Sequence, residues 1–254
     1  MKIGLLCGHR IPDLLNTKET LTVETKYGSI PVEISSIGTH NVLFINRHGP
    51  SANLPPHKIN YRGNIEALAV SHVDCILSVG TVGSLNKQMK PGDIVVPHDF
   101  IDFTTSRHST FFDEKRVHVD MTNPYCPLIR KQLLTAAKKI HSLTVHDHGV
   151  YLATEGPRLE TVSEIQFFSQ FADVVGMTGV PEVILAREKG ICYASLCLVS
   201  NMAAGLQNEL PTDEIKKMYK QKQLHLSKIL ESTILHLEKK RKCHCAVDVS
   251  KATL

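Results

Sequence analysis

Residues 149–206 of the 254-residue chain read GVYLATEGPRLETVSEIQFFSQFADVVGMTGVPEVILAREKGICYASLCLVSNMAAGL. The stretch alternates between two periodicities. Gly149–Thr154 is a short apolar run of strand type, and Val162–Phe171 has helical spacing. Asp173–Met177 is a second strand, Pro181–Lys189 a second helix, and Ile191–Ser200 a long, almost wholly apolar strand. Strands that lack in-and-out alternation are buried on both faces. Strands separated by helices achieve this in a mostly parallel sheet with helices on either side.

The same alternation extends toward the N-terminus. Lys2–Cys7 (KIGLLC) reads as a buried strand ended by Gly8, and Ile30–Ile34 as a half-buried one. Asn41–Ile45 is apolar and stops at Asn46-Arg47-His48-Gly49. Asn60–Val70 has helical spacing, with Ile65, Leu68 and Ala69 on one face. Cys75–Val79 is a strand that runs into a glycine-rich turn, Gly80-Thr81-Val82-Gly83-Ser84. Asp93–Val96 follows a Pro-Gly turn, and Pro127–Ile140 is an amphipathic helix. Thr212 is a candidate N-cap for a last helix running to about Lys239, with Asp213 and Glu214 suited to its first turn. There is no internal repeat, low-complexity linker or composition break. The expectation is α/β, a single domain over 1–242 with a central, mostly parallel mixed sheet flanked by helices, then a loose tail at 243–254.

Bulk properties narrow the function classes. With 42% hydrophobic and 21% charged residues, the composition is that of an ordinary globular protein. No apolar run approaches the ~20 residues that cross a bilayer. The apolar core of MKIGLLCGHR is too short for a signal peptide, so a cytoplasmic protein without a membrane partner is expected. The net charge of +4 is concentrated in Lys239, Lys240, Arg241 and Lys242, which read as a solvated end. Nucleic-acid binding would need a broader basic face with interleaved aromatics. Cys7, Cys75, Cys126, Cys192 and Cys197 sit singly in apolar surroundings and read as small core residues of a reducing compartment. Cys243 and Cys245 form a C-x-C, open to a strained disulfide or a metal contact. With His244 they make a weak metal signal, and no metal cluster is expected among the His residues.

Several motifs fall where strands end, which is where open α/β sheets gather their chemistry. Arg47-His48-Gly49 offers a guanidinium fork and an imidazole to an oxyanion, or else a surface turn with a local ion pair. Gly80–Ser84 can form an anion nest of backbone N–H groups, and Thr178 adds a hydroxyl. Glu160 is either a first-turn helix carboxylate or a ligand-binding acid. Asn201 is either a strand-end turn residue or a ligand-binding amide.

Taken together, RHG at 47–49, PPHKINYR at 55–62, GPRLETVSE at 156–164, Met177-Thr178 and SNMAAG at 200–205 resemble the trimeric purine nucleoside phosphorylase family that includes methylthioadenosine phosphorylase. Within it the chain looks most like the methylthioinosine phosphorylases. The resemblance covers roughly residues 1–238 and is strongest from Asn41 to Leu206. It implies phosphorolysis of a nucleoside, with inorganic phosphate as co-substrate and no metal or organic cofactor. It also implies a homotrimer, or a dimer of trimers, with sites near subunit contacts. Carried over by motif, Arg47, Thr81 and Thr178 bind phosphate, and His48 matches the RHG histidine. Asn201 and Glu160 are the catalytic pair, Met177 lies beside the ribose and Leu159 lines the base pocket. His118, in RVHVDMTNPYCP, matches a position near the 5′ substituent that a neighbouring subunit can donate.

Two departures bear on substrate. Relatives open with a Gly-rich loop carrying a hydroxyl, whereas this chain has Cys7-Gly8-His9-Arg10. His9 replaces the hydroxyl residue and Arg10 replaces a glycine; both are expected at the phosphate, with Arg10 donating to it in compensation, the alternative being a reshaped loop of low phosphate affinity. Adenine-specific relatives carry Asp where Asn201 stands and a second Asp where Ala203 stands. A 6-oxopurine presents N1–H as donor and O6 as acceptor, which suits Glu160 and Asn201; mispairing such a buried group costs about 1–3 kcal/mol. These groups favour a 6-oxopurine base, and the resemblance then implies S-methyl-5′-thioinosine as substrate, giving hypoxanthine and 5-methylthioribose 1-phosphate. Alternatives are a general inosine/guanosine or methylthioadenosine phosphorylase, or a nucleoside-binding protein with an impaired phosphate site. Relatives that use 5′-hydroxyl nucleosides often carry a His before the last helix, where this chain has Leu210-Pro211-Thr212. In some archaeal relatives a C-x-C tail of this kind forms a disulfide.

Overall fold

The computed structural model describes residues 1–11, 14–208, 212–239, 242–246, 252 and 253. Strand β1 (Lys2–Cys7) is buried from Ile3 onward and lies between β4 (His40–Asn46) and β5 (Cys75–Ser84), parallel to both. Antiparallel β3 (Gly28–Ile37) and β2 (Glu19–Thr25) extend this side of the sheet. The outermost strand β2, ETLTVET, carries exposed acids and threonines, which protect an open edge from pairing with other chains. Its polarity also hid it from the apolar-run criterion.

On its other edge β5 pairs in parallel with β11 (Cys192–Met202) along nearly its whole length. The two-residue strands β6 (Ile94–Val95) and β8 (Val145–His146) continue beyond β11. Parallel β9 (Val150–Thr154) links β7 (Asp99–Phe103) to β10 (Val174–Gly176). Strand β10 in turn pairs antiparallel with the far end of β5. The sheet is thus mixed and mostly parallel, as expected.

Helices cover both faces. Ile3, Leu5 and Leu77 point into a core layer with α2 (Pro127–Lys138) and α5 (Thr212–Leu235), whereas Leu6 and Ile76 point into a layer with α1 (Tyr61–Val70) and α4 (Gly179–Glu188). Asn60 caps α1 through its side chain, which accepts from the Gly63 N–H. Helix α3 (Val162–Phe168) opens with a reciprocal capping box between Thr161 and Glu164. Glu164 therefore takes the first-turn role that was one reading of Glu160. The Thr212 side chain, Leu210 and Pro211 lie outside the described residues, as do Lys240 and Arg241.

Two expectations are corrected. Gly80–Ser84 is no turn: it continues β5, because β11 and then β10 supply ladder partners that outweigh the glycines' low strand preference. Cys126 and Cys192 are not solitary. Their sulfurs lie within 4.8 Å of those of Cys243 and Cys245, and Cys245 is only 3% exposed. The start of the expected loose tail is thereby drawn into the core beside α2 and β11.

Candidate active site

The partner of β5 changes along its length. On one edge β1 pairs with it up to Val79, and β10 takes over at Gly83. Between them, Gly80–Val82 has no ladder partner on that edge among the described residues. The strands diverge there, and a cavity of about 210 Å³ opens at the C-terminal ends of β1, β5 and β11. This is the placement expected for open α/β sheets.

Arg47 forms the cavity floor and is 2% exposed. It follows β4 and reaches under β1 and β5. Its Nε and Nη2 donate to the two oxygens of Glu182 at 2.7 and 3.0 Å. Nη2 also donates to Ser78 Oγ (2.7 Å) and lies 3.3 Å from the Leu6 carbonyl, while Nη1 donates to the Val79 carbonyl (2.7 Å). Ser78 and Tyr193 hydroxyls donate to the same Glu182 oxygen. Burial alone would lower the Arg47 pKa; the Glu182 carboxylate overrides it and holds the guanidinium firmly charged. Of the five guanidinium hydrogens, one on Nη1 has no protein acceptor among the described residues. Glu182 was missed at the sequence level: it looked like one acid on a buried helix, though a charge amid VPEVILA was the available signal.

The rest of this end comes from three loops. A Cβ on Gly8 would approach the His48 ring to 3.1 Å and Arg47 Nη1 to 3.9 Å, so the first loop lies directly on the RHG segment. The His48 Nδ1 sits 2.6 Å from the Leu54 carbonyl. A neutral ring must donate there, which leaves Nε2 as an acceptor. Burial lowers the pKa of His9 and of His48, and the Arg47 charge adds to both shifts. Burial also pushes the Cys7 thiol up to about 12, which leaves it un-ionised in the cavity wall. Thr178 precedes α4 without a side-chain cap bond, so its hydroxyl stays available to the cavity. The backbone N–H groups of Thr178 and Gly179 are held by the Tyr151 hydroxyl at 3.2 and 3.1 Å. Tyr151 is a second missed residue, hidden in an apolar strand; a buried phenol in need of a partner was the clue.

At the other end lie Leu159, Glu160, Met177, Asn201 and Ala203. A register shift between Val199 and Asn201 breaks the β11 ladder, as a bulge does when it re-aims a side chain. Asn201 accepts from Ser200 Oγ at 2.7 Å and donates to the Met202 carbonyl at 2.9 Å. These two bonds fix the orientation of the amide and leave it one N–H and one acceptor site. Glu160 accepts from Thr154 Oγ1 at 2.6 Å through one oxygen, leaving the other without a side-chain partner among the described residues. Gly156, with φ of +64°, admits Met177: a Cβ there would stand 2.5 Å from its sulfur. Ile215 and Tyr219, one turn apart on α5, complete the wall.

The structure thus gathers His9, Arg47, His48, Thr81, Leu159, Glu160, Met177, Thr178, Asn201 and Ala203 around one cavity. Two expected residues are not brought there. Arg10 turns away to Glu33 (3.1 Å), Thr17 Oγ1 (2.5 Å) and the Leu15 carbonyl, because an acid and two acceptors lie on that side and Arg47 already occupies the floor. His118 is exposed and outside the cavity, with its backbone N–H bonded to the Ala252 carbonyl.

The chain as a whole is matched by known proteins. Residues 2–235 fit the family model described as the phosphorylase superfamily. The chain belongs to the phosphorylase superfamily. Like its relatives, this phosphorylase is an enzyme. A protein of Methanopyrus kandleri named probable S-methyl-5′-thioinosine phosphorylase is 48% identical over 228 residues, covering 89% of either chain. An S-methyl-5′-thioadenosine phosphorylase of Pyrococcus furiosus is 42% identical over 253 residues, 98% of either chain. The crystal structure of a methylthioadenosine phosphorylase from an antarctic soil metagenomic library superposes with a TM-score of 0.92 at 30% identity, covering 99% of this phosphorylase and 92% of that one.

Proposed function

We propose that this phosphorylase cleaves 6-oxopurine nucleosides with phosphate, S-methyl-5′-thioinosine foremost, giving hypoxanthine and 5-methylthioribose 1-phosphate. Relatives named for thioinosine and for thioadenosine stand at 48% and 42% identity, so overall similarity does not choose the base. The observation that carries the choice is the fixed amide of Asn201. Its spare N–H suits O6, and its spare acceptor site suits a protonated N7. An adenine protonated at N7 presents donors at both positions and would leave the Asn201 N–H without an acceptor. Glu160, steadied by Thr154, accepts from N1–H.

In the reaction the purine takes up a proton from solvent at N7, the C1′–N9 bond breaks and its electron pair leaves with the N7-protonated base. The sugar develops oxocarbenium character, as in glycoside cleavage, and a phosphate oxygen forms the new bond to C1′. Fixed dipoles at the two ends of the cavity stabilise this charge separation. Asn201 serves the leaving base. Arg47 Nη1, the His48 ring, Thr81 and Thr178 serve the phosphate, with His9 at its edge. The apolar faces of Met177, Ile215 and Tyr219 suit a methylthio-ribose. We extend the proposal to a cytoplasmic homotrimer, or a dimer of trimers, in purine salvage, with His118 available to a neighbouring subunit's site. No helix among the described residues is long and apolar enough to cross a membrane.

The test is an assay of methylthioinosine, inosine and methylthioadenosine, each with and without phosphate. Phosphate-dependent release of hypoxanthine from methylthioinosine, with methylthioadenosine inert, is the expected result. Preference for methylthioadenosine would overturn the base assignment, and binding without turnover would overturn the phosphate site.

A further inference from the structure

Far from this cavity, four sulfurs converge. Cys192 begins β11 and Asn201 lies near its end; nine residues of strand put the two roughly 30 Å apart. Cys126 stands at the N-cap of α2, and Cys243 and Cys245 arrive from beyond α5. Each residue offers one Sγ, and all four Sγ lie within 4.8 Å of one another, with Cys192 and Cys243 at 3.4 Å. Zinc–thiolate bonds of ~2.3 Å place the corners of a tetrahedron about 3.8 Å apart, within this spread. Two disulfides would instead sort the sulfurs into two pairs at ~2.05 Å. Here Cys126 contacts both Cys192 and Cys245, and no such pairing emerges.

The surroundings favour thiolate. Cys126 is the N-cap residue of α2, at the positive end of that helix. Cys126, Cys192 and Cys245 are buried, while Cys243 is partly exposed and gives an ion a way in.

We infer that Cys126, Cys192, Cys243 and Cys245 form a closed tetrathiolate site for a structural zinc ion, which fastens the segment after α5 to the start of β11 and the N-terminus of α2. Four soft thiolates in tetrahedral array select zinc over harder cations. Binding releases the thiol protons, and the ion stays divalent throughout. C-x-C spacing with two distant single cysteines lacks the usual C-x-x-C pattern, which is why the ligand set is not apparent in the sequence.

The experiment is metal analysis of the whole protein, purified under reducing conditions with zinc present and then dialysed. It is paired with thiol counting in denaturant, before and after reductant. The expected result is one zinc per chain, all seven cysteine thiols free without reductant, and loss of the metal in the variant Cys243→Ser, Cys245→Ser. Cobalt(II) added to the metal-free wild-type protein should give tetrahedral bands with thiolate charge transfer, a readout that needs no variant. Two disulfides, seen as a mass lower by four hydrogens and thiols that appear only after reduction, would overturn the proposal. So would seven free thiols that retain neither zinc nor cobalt. None of these readouts depends on nucleoside cleavage, so the site stands or falls apart from the proposed reaction.

Discussion

The floor and the rim of the cavity solve opposite problems. At the floor, Arg47 and Glu182 are buried at 2% and 0% exposure, and nearly every donor and acceptor they carry is engaged by protein. At the rim, Glu160 and Asn201 are only half engaged: each makes enough internal bonds to be fixed in place and keeps hydrogen-bonding capacity in reserve. Saturated polar groups hold a fold together, and oriented groups with spare capacity hold a ligand. The contrast predicts that breaking the Arg47–Glu182 pair at the floor acts first on stability, Arg47 keeping a single spare N–H for phosphate, and that substitutions at the rim act on turnover.

The largest effect should come from Glu182→Gln, which leaves the Arg47 charge buried without its partner. Breaking such a pair costs about 3–5 kcal/mol, to be read by urea unfolding; an unchanged midpoint would remove the distinction between floor and rim. Asn201→Ala should instead lower kcat about 100- to 1000-fold, the usual loss for a donor aimed at developing charge, with little change in Tm. A matching loss of stability would make Asn201 a structural residue. Asn201→Asp sharpens the comparison further. Its carboxylate accepts where the amide donates, so methylthioadenosine should gain on methylthioinosine by about 1–3 kcal/mol in kcat/KM. No change in the ratio would mean that the base is read elsewhere.

A smaller effect rides on pH. The folded-state pKa values of His9 and His48 lie below the ordinary 6.5. As pH falls below 6.5 the unfolded chain takes up protons first, so stability drops until the folded values are passed. Phosphate bound beside these rings should raise their pKa and shrink that loss. Tm measured at about pH 8 and about pH 5, with and without phosphate, tests this; a loss indifferent to phosphate would place the anion elsewhere. The smallest effect is that of Arg10→Ala. The Arg10–Glu33 pair is well exposed, and such pairs are worth about 0.2–1 kcal/mol. The KM for phosphate should stay within about twofold, since an exposed pair this weak, turned from the cavity, has little to give up. A large rise would show that the side chain swings in when phosphate binds.

Much of the molecule could be read from one dimension. The buried strand KIGLLC and the strand expected over Ile191–Ser200, found at Cys192–Met202, are local patterns, and the RHG, LETVSE and SNMAAG segments each bring residues to one cavity. What could not be read depends on partners distant in the chain. Gly80–Ser84 is a strand because β11 and β10 flank it, not because of its own residues. Arg47 meets Glu182 across 135 residues, and only that meeting distinguishes a charge on the cavity floor from an ordinary acid on a helix. Arg10 stands two residues past the first loop glycine, yet its direction is set by Glu33 on β3, two strands away from β1 in the sheet.

By itself, then, the sequence determined the alternation of strand and helix, the sheet's class and the types of group offered at the strand ends, because periodicity and capping are properties of neighbouring residues. Tertiary structure alone decided which of those groups share a cavity, how much hydrogen-bonding capacity each has left, and that four scattered cysteines meet. Those properties arise only when chain packing sets distance and desolvation, and neither quantity exists along a linear chain.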